Sequence, residues 1–134
     1  MIDVEDKLFS EIAPIIREEF DASVSNVLGR WPSSFPHVLI TEIDNYVPHR
    51  MVDSSGAERF AYVAFQVEVY SNKRDTGPSE CRKISAWIRD LLFEQYGLRA
   101  ESTSPVQYLE DATVYLRTSR YVGVTDGTLS FYGR

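Results

Sequence analysis

In the first segment Val4, Leu8, Ile12, Ile15 and Ile16 recur at helical spacing with acids such as Glu5, Asp6 and Glu11 between them, and Glu18 and Glu19 follow. This predicts one amphipathic helix from about Asp3 to about Phe20. Pro14 falls inside it, has no N–H to donate and crowds the carbonyl four residues back, so a kink or a split is expected there. Ser23 to Pro36 holds two prolines, Gly29, Trp31 and several serines. It reads as an irregular surface loop with Trp31 and Phe35 tucked beneath it.

The pattern then changes period. From His37 to Val47, Leu39, Thr41, Ile43 and Val47 alternate with polar or charged partners, which predicts a strand with one wet face. Arg59 to Tyr70 alternates more sharply: Ala61, Val63, Phe65, Val67 and Val69 share one face, and Tyr62, Gln66, Glu68 and Tyr70 the other. The two strands are expected to pair as a hairpin. Their connection, Pro48 to Glu58, contains Asp53-Ser54-Ser55-Gly56 and exceeds the ~2–5 residues usual for hairpins. Loop residues that build no core are free to serve a partner.

After a polar turn from Ser71 to Pro78, the helical period returns. Ile84, Trp87, Ile88, Leu91 and Leu92 share one face of a helix from Ser79 to Tyr96, with Ser79 as the expected N-cap and Gly97 as the left-handed C-terminal cap. Leu98 to Tyr108 reads as a weak strand broken at Pro105. Ala112 to Thr125 reads as a long strand with Val114, Leu116, Val122 and Val124 on one side. Asp126-Gly127 signals a tight turn into a short last strand, Thr128 to Tyr132.

The order α-β-β-α-β-β-β is not strictly alternating. It predicts an α+β domain with a largely antiparallel or mixed sheet and two main helices packed on one face. With 134 residues the chain suits a single domain, 1–134. A globule of this length is ~36 Å across, whereas twelve extended residues reach ~40 Å, so the hairpin is expected to project past the core and meet another subunit or protein.

Charge and composition narrow the function. The formal charge is −6, which argues against a surface that grips nucleic-acid phosphates. Cys81 is the only cysteine, so neither an internal disulfide nor a cysteine-based zinc site can form. The acid-rich start is unlike a signal peptide, and no run approaches the ~18 apolar residues that span a bilayer, so a cytoplasmic, membrane-free protein is expected.

Candidate chemistry is sparse. Cys81 lies in the first turn of the second predicted helix and could in principle pair with His37 or His49, but a buried structural cysteine is the favoured reading. Glu42 and Asp44 read as a solvated strand face rather than metal ligands, and Glu18, Glu19 and Asp21 as a charged helix end. None of the glycines forms a phosphate-binding loop. No catalytic or metal site and no cofactor is therefore expected. The basic residues Lys73, Arg74, Arg82, Lys83, Arg117 and Arg120 and the strand tyrosines Tyr46, Tyr62, Tyr70, Tyr115 and Tyr121 are either ordinary surface and sheet residues or protein contacts. Tyr46, His49, Arg50, Met51, Tyr62, Tyr70, Lys73, Arg74, Arg117, Arg120 and Tyr121 form the candidate interface set.

The run Phe65-Gln66-Val67-Glu68-Val69-Tyr70-Ser71, the polar turn before Ser79-Glu80-Cys81, the helix ending at Gly97, and Asp111 followed by Val114-Tyr115-Leu116-Arg117 and Arg120-Tyr121 carry a resemblance. Together they resemble the tail terminator, or tail-completion, proteins of long-tailed bacteriophages, from about Val38 to Val124. The resemblance implies a structural, non-enzymatic protein of the same α+β arrangement, made in the bacterial cytoplasm and resident in the virion. Its copies would form a six-membered ring that caps the tail tube and offers a surface to the head completion or connector protein, with DNA passing through unbound. Six chains at −6 each would give the ring about −36, which suits a conduit for DNA. Another head–tail connector or tail-tube component, a small ligand-binding or regulatory α+β domain, and a hydrolase using Cys81 remain as alternatives.

Overall fold

The alternation of Ala61, Val63, Phe65, Val67 and Val69 sets the centre of the fold. The computed structural model describes residues 4–26, 32, 34–46, 61–110, 113–126 and 128–131. Strand β3 (Ala61–Ser71) lies between β2 (His37–Tyr46) and β6 (Val114–Thr125) and is antiparallel to both. A short β1 (Ser23–Ser25) runs parallel to the outer edge of β2. On the far side, β4 (Arg99–Thr103) and β5 (Gln107–Leu109) pair with successive parts of β6. The chain is thus α+β, with a mixed six-stranded sheet ordered β1-β2-β3-β6-β4 and β5 beside β6.

Two helices cover one face of this sheet. Helix α1 (Glu5–Phe20) buries Leu8, Ile12, Ala13 and Ile16; α2 (Gly77–Leu91) buries Cys81, Ile84 and Ile88 and continues into a π-helical turn, Leu92–Tyr96. These side chains form one core with Val38, Ile40 and the odd-numbered residues of β3. Each fully buried aliphatic residue contributes about 1.5–3 kcal/mol of transfer free energy. Phe20 meets Trp87 edge to face at 5.2 Å and ties the end of α1 to α2. No helix of the described residues is long and apolar enough to cross a membrane.

Several sequence expectations are corrected. Helix α1 runs through Pro14 as one element; Pro14 and Ser10, whose carbonyl loses its donor, are both exposed, so water can take the carbonyl. Ile15 is 40% exposed, and Ala13 takes its place on the buried face. Ser23–Ser25 is a strand rather than loop, held also by the Ser23 amide bonding the Pro36 carbonyl at 3.0 Å. On β2 the core face carries Val38 and Ile40, not Leu39, Thr41 and Ile43. A bulge between Glu42 and Asp44 sets those acids opposite consecutive residues, Phe65 and Ala64, and so on opposite faces.

The α2 N-cap is Thr76, not Ser79, and Pro78 occupies the first turn, where its missing N–H costs nothing. Gly97 does cap the other end at φ 81°, with its amide bonding the Phe93 carbonyl at 3.0 Å and the Leu98 amide bonding the Leu92 carbonyl at 3.1 Å. Val114, Leu116, Val122 and Val124 do share a side of β6, but it faces away from the helices. Thr128–Phe131 forms no strand. It folds back so that the Phe131 amide bonds the Tyr96 carbonyl at 2.7 Å and the Phe131 ring meets Phe65 edge to face at 6.2 Å.

The described part of the hairpin does not project. β3 is paired with β6 along its whole length and with β2 from Tyr62 to Tyr70, and Ala61, Tyr62, Val63 and Ala64 are buried. The connection, with His49, Arg50, Met51 and the Asp53–Gly56 turn, lies outside the described residues.

Candidate functional site

The sheet itself decides the fate of the thiol–imidazole pair. Cys81 sits in the helix-side core, where its Sγ lies 3.6 Å from the Val69 carbonyl and 3.7 Å from the Tyr115 carbonyl. Burial, with the nearby Glu80, pushes its thiol up to about 11, against the pull of Arg117 and Arg82. A thiol so held is a poor nucleophile near neutrality. His37 is on β2 directly opposite Tyr70, hence on the face away from the helices. The two groups stand on opposite sides of the sheet.

His37 is instead a fastening for β1. Its Nδ1 lies 2.5 Å from Ser23 Oγ and its Nε2 2.9 Å from Ser25 Oγ, and burial lowers its pKa below the ordinary 6.5. The folded protein therefore binds this proton less readily than the unfolded chain. The His37 contribution to stability should be complete above pH 6.5 and fall as pH drops below it toward the depressed folded value. Thermal unfolding from pH 8 to pH 5 should show this fall. His37→Gln should flatten it relative to the parent, while the titration of the carboxylates remains in both.

The candidate interface residues that the structure describes separate into four environments. Tyr121 is 1% exposed and belongs to the core. Its phenol is raised by burial, opposed by a hydrogen bond from Ser119 and by the Arg89 and Arg117 cations. Tyr62, Tyr70 and Arg120 lie on the helix-free face. The Tyr62 hydroxyl is 3.5 Å from Glu101, Tyr70 donates to Glu68, and Arg120 Nε is 3.2 Å from the other Glu101 oxygen. Tyr46 stands opposite Tyr62 in the β2–β3 register. Lys73 and Arg74 are exposed in the turn before α2, Lys73 pairing with Glu80 at 2.5 Å.

Arg117 belongs to neither surface. On β6, residues 117, 119 and 121 point toward α2, and on α2 the i, i+4 pair Ser85 and Arg89 faces them. Between the two elements lies a cavity of about 100 Å³ lined by Ser85, Arg89, Thr103, Arg117, Ser119 and Tyr121. Thr103 reaches it because it pairs with Ser119. Ser85 is only 6% exposed, yet its hydroxyl has no hydrogen-bond partner, and neither has the buried Arg117 Nε. Through Ala86 and Arg89 the cavity adjoins an outer groove of about 560 Å³, bordered by Asp90, Arg99, Ala100 and Phe93, the last 54% exposed.

No protein-family model matches the chain, and no curated protein matches it. Sequence pattern alone singles out Arg117 and Tyr121 but not Ser85, Arg89, Thr103 and Ser119. The available signal was parity: Arg117-x-Ser119-x-Tyr121 occupies the β6 face opposite Leu116 and Val122, so one face had to be polar wherever the other was apolar.

Proposed function

We propose that the chain is a structural, non-enzymatic phage tail protein whose copies form a ring that caps the tail tube and receives the head completion or connector protein. The observation that carries this reading is the sheet face that no described helix covers. It presents Gln66, Glu68 and Tyr70 of β3 beside Leu116, Thr118 and Arg120 of β6, all half-buried. A mixed polar and apolar face of this kind suits subunit packing, with tyrosine and arginine as anchors. Among the strings that resemble tail terminators, Phe65–Ser71 falls on β3, Ser79–Cys81 on α2, and Val114–Arg117 with Arg120–Tyr121 on β6, the three elements that build this face and its support. A ring requires heterologous contacts that each copy makes identically, with six the number that the resemblance implies.

Light scattering across a concentration series, alone and with isolated tail tubes, tests this. Rings or tube-bound chains are the expected result, and a strict monomer that never associates with tubes overturns it. A second reading, a small ligand-binding α+β domain, is favoured by the polar cavity between α2 and β6.

A further inference from the structure

The cavity between α2 and β6 has a chemistry that the rest of the molecule does not require. In a chain of net charge −6, two guanidinium groups converge on one small space. Among the described residues neither Arg89 nor Arg117 makes an ion pair, although ion pairs do form at Lys73–Glu80 and Arg120–Glu101. The Ser85 hydroxyl and the Arg117 Nε are withdrawn from water and left without partners. A buried polar group left unsatisfied is destabilising, so their joint presence calls for an acceptor. Arginine N–H groups offer only donors, and the serine hydroxyl can turn to offer one as well.

We propose that this cavity is an oxyanion site that takes one carboxylate or phosphate group. The volume of about 100 Å³ accommodates a single such head group and leaves the body of a larger ligand in the outer groove, against Phe93 and Arg99. Arg117 would donate through Nε–H and the guanidinium fork, Ser85 through its hydroxyl, and Arg89 would close the mouth toward the groove. Asp90 borders the groove and not the inner cavity; its charge reaches Tyr121 but is outnumbered there by Arg89 and Arg117. Two sources supply this chemistry: a free small anion, or an acidic side chain of a second copy. The site itself stands on the geometry of one chain and does not depend on the ring.

The full chain is titrated with inorganic phosphate and, separately, with acetate, at ionic strength held constant with sodium chloride, and followed by calorimetry and thermal unfolding. Saturable binding of one anion per chain and a rise in Tm are expected for at least one of the two. Ser85→Ala separates binding from structure, because removing an unpartnered buried hydroxyl should leave the anion-free Tm unchanged or raised. The same variant should weaken anion binding about tenfold. Arg117→Lys keeps the charge but loses the Nε–H and should weaken binding by at least as much.

The proposal fails if both anions leave Tm where chloride leaves it, or if both variants bind as the parent does. Self-association measured in the same titration identifies the source. Dissociation at the concentration that fills the site assigns it to a carboxylate of a second copy, and unchanged association to a free anion; only this last arm rests on the ring.

Discussion

Gly97→Ala should destabilise the folded chain by about 2–4 kcal/mol and lower Tm by roughly 10 °C. Two costs meet at this position. Gly97 holds φ at 81°, a left-handed conformation that costs an L-residue about 1–2 kcal/mol. A Cβ placed there would also lie 2.3 Å from the Phe131 carbonyl oxygen, a backbone atom that cannot rotate away. Urea denaturation separates the costs when Gly97→Asn is measured beside it. Asparagine tolerates the left-handed conformation but brings the same Cβ, so it should recover only part of the loss. Full recovery by asparagine would mean that the terminal segment yields freely.

The elements most legible in the sequence are those whose period is set by a single buried face. Ile84, Ile88 and Leu92 are inward on α2 because a surface helix has one apolar stripe. The odd residues of β3 are inward because a strand under helices alternates. β2 and β6 were harder, since both faces of a central strand are partly covered and an apolar stripe no longer points to the helices. Leu39 and Thr41 are buried on the far face while Val38 and Ile40 join the core, and Val122 and Val124 form a small separate cluster with Tyr62 and Ala64. The bulge after Glu42 adds a residue that no alternation rule anticipates.

Short and terminal pieces follow from tertiary contacts rather than local pattern. β1 is three residues long and exists because β2 offers an edge and His37 offers both ring nitrogens to its serines. The polar cavity was half legible for a similar reason. Arg117 and Tyr121 stand out as charged and aromatic residues on a strand, but Ser85 and Ser119 acquire meaning only when α2 is laid across β6. His37 and Cys81 show the converse: two residues that could make a catalytic pair in composition are separated by the sheet that both help to build.

Phe131→Ala should cost about 3–4 kcal/mol, as expected for deletion of a buried aromatic ring. Residues 128–131 form no strand, although the sequence pattern predicts one from Thr128 to Tyr132. The ring nevertheless packs edge to face on Phe65, and it approaches Gly123 so closely that a Cβ there would lie 2.9 Å from the Phe131 Cβ. Its segment is held by the Phe131 amide on Tyr96 and by the Thr125 hydroxyl donating to the Thr128 carbonyl at 2.6 Å. Combining Phe131→Ala with Gly97→Ala tests the link between these features. Without its ring the segment has less to anchor it and can move its carbonyl off the new Cβ. The double variant should therefore lose about 1 kcal/mol less than the two single losses together. Strict additivity would mean that the backbone bonds alone, and not the ring, fix the segment against Gly97.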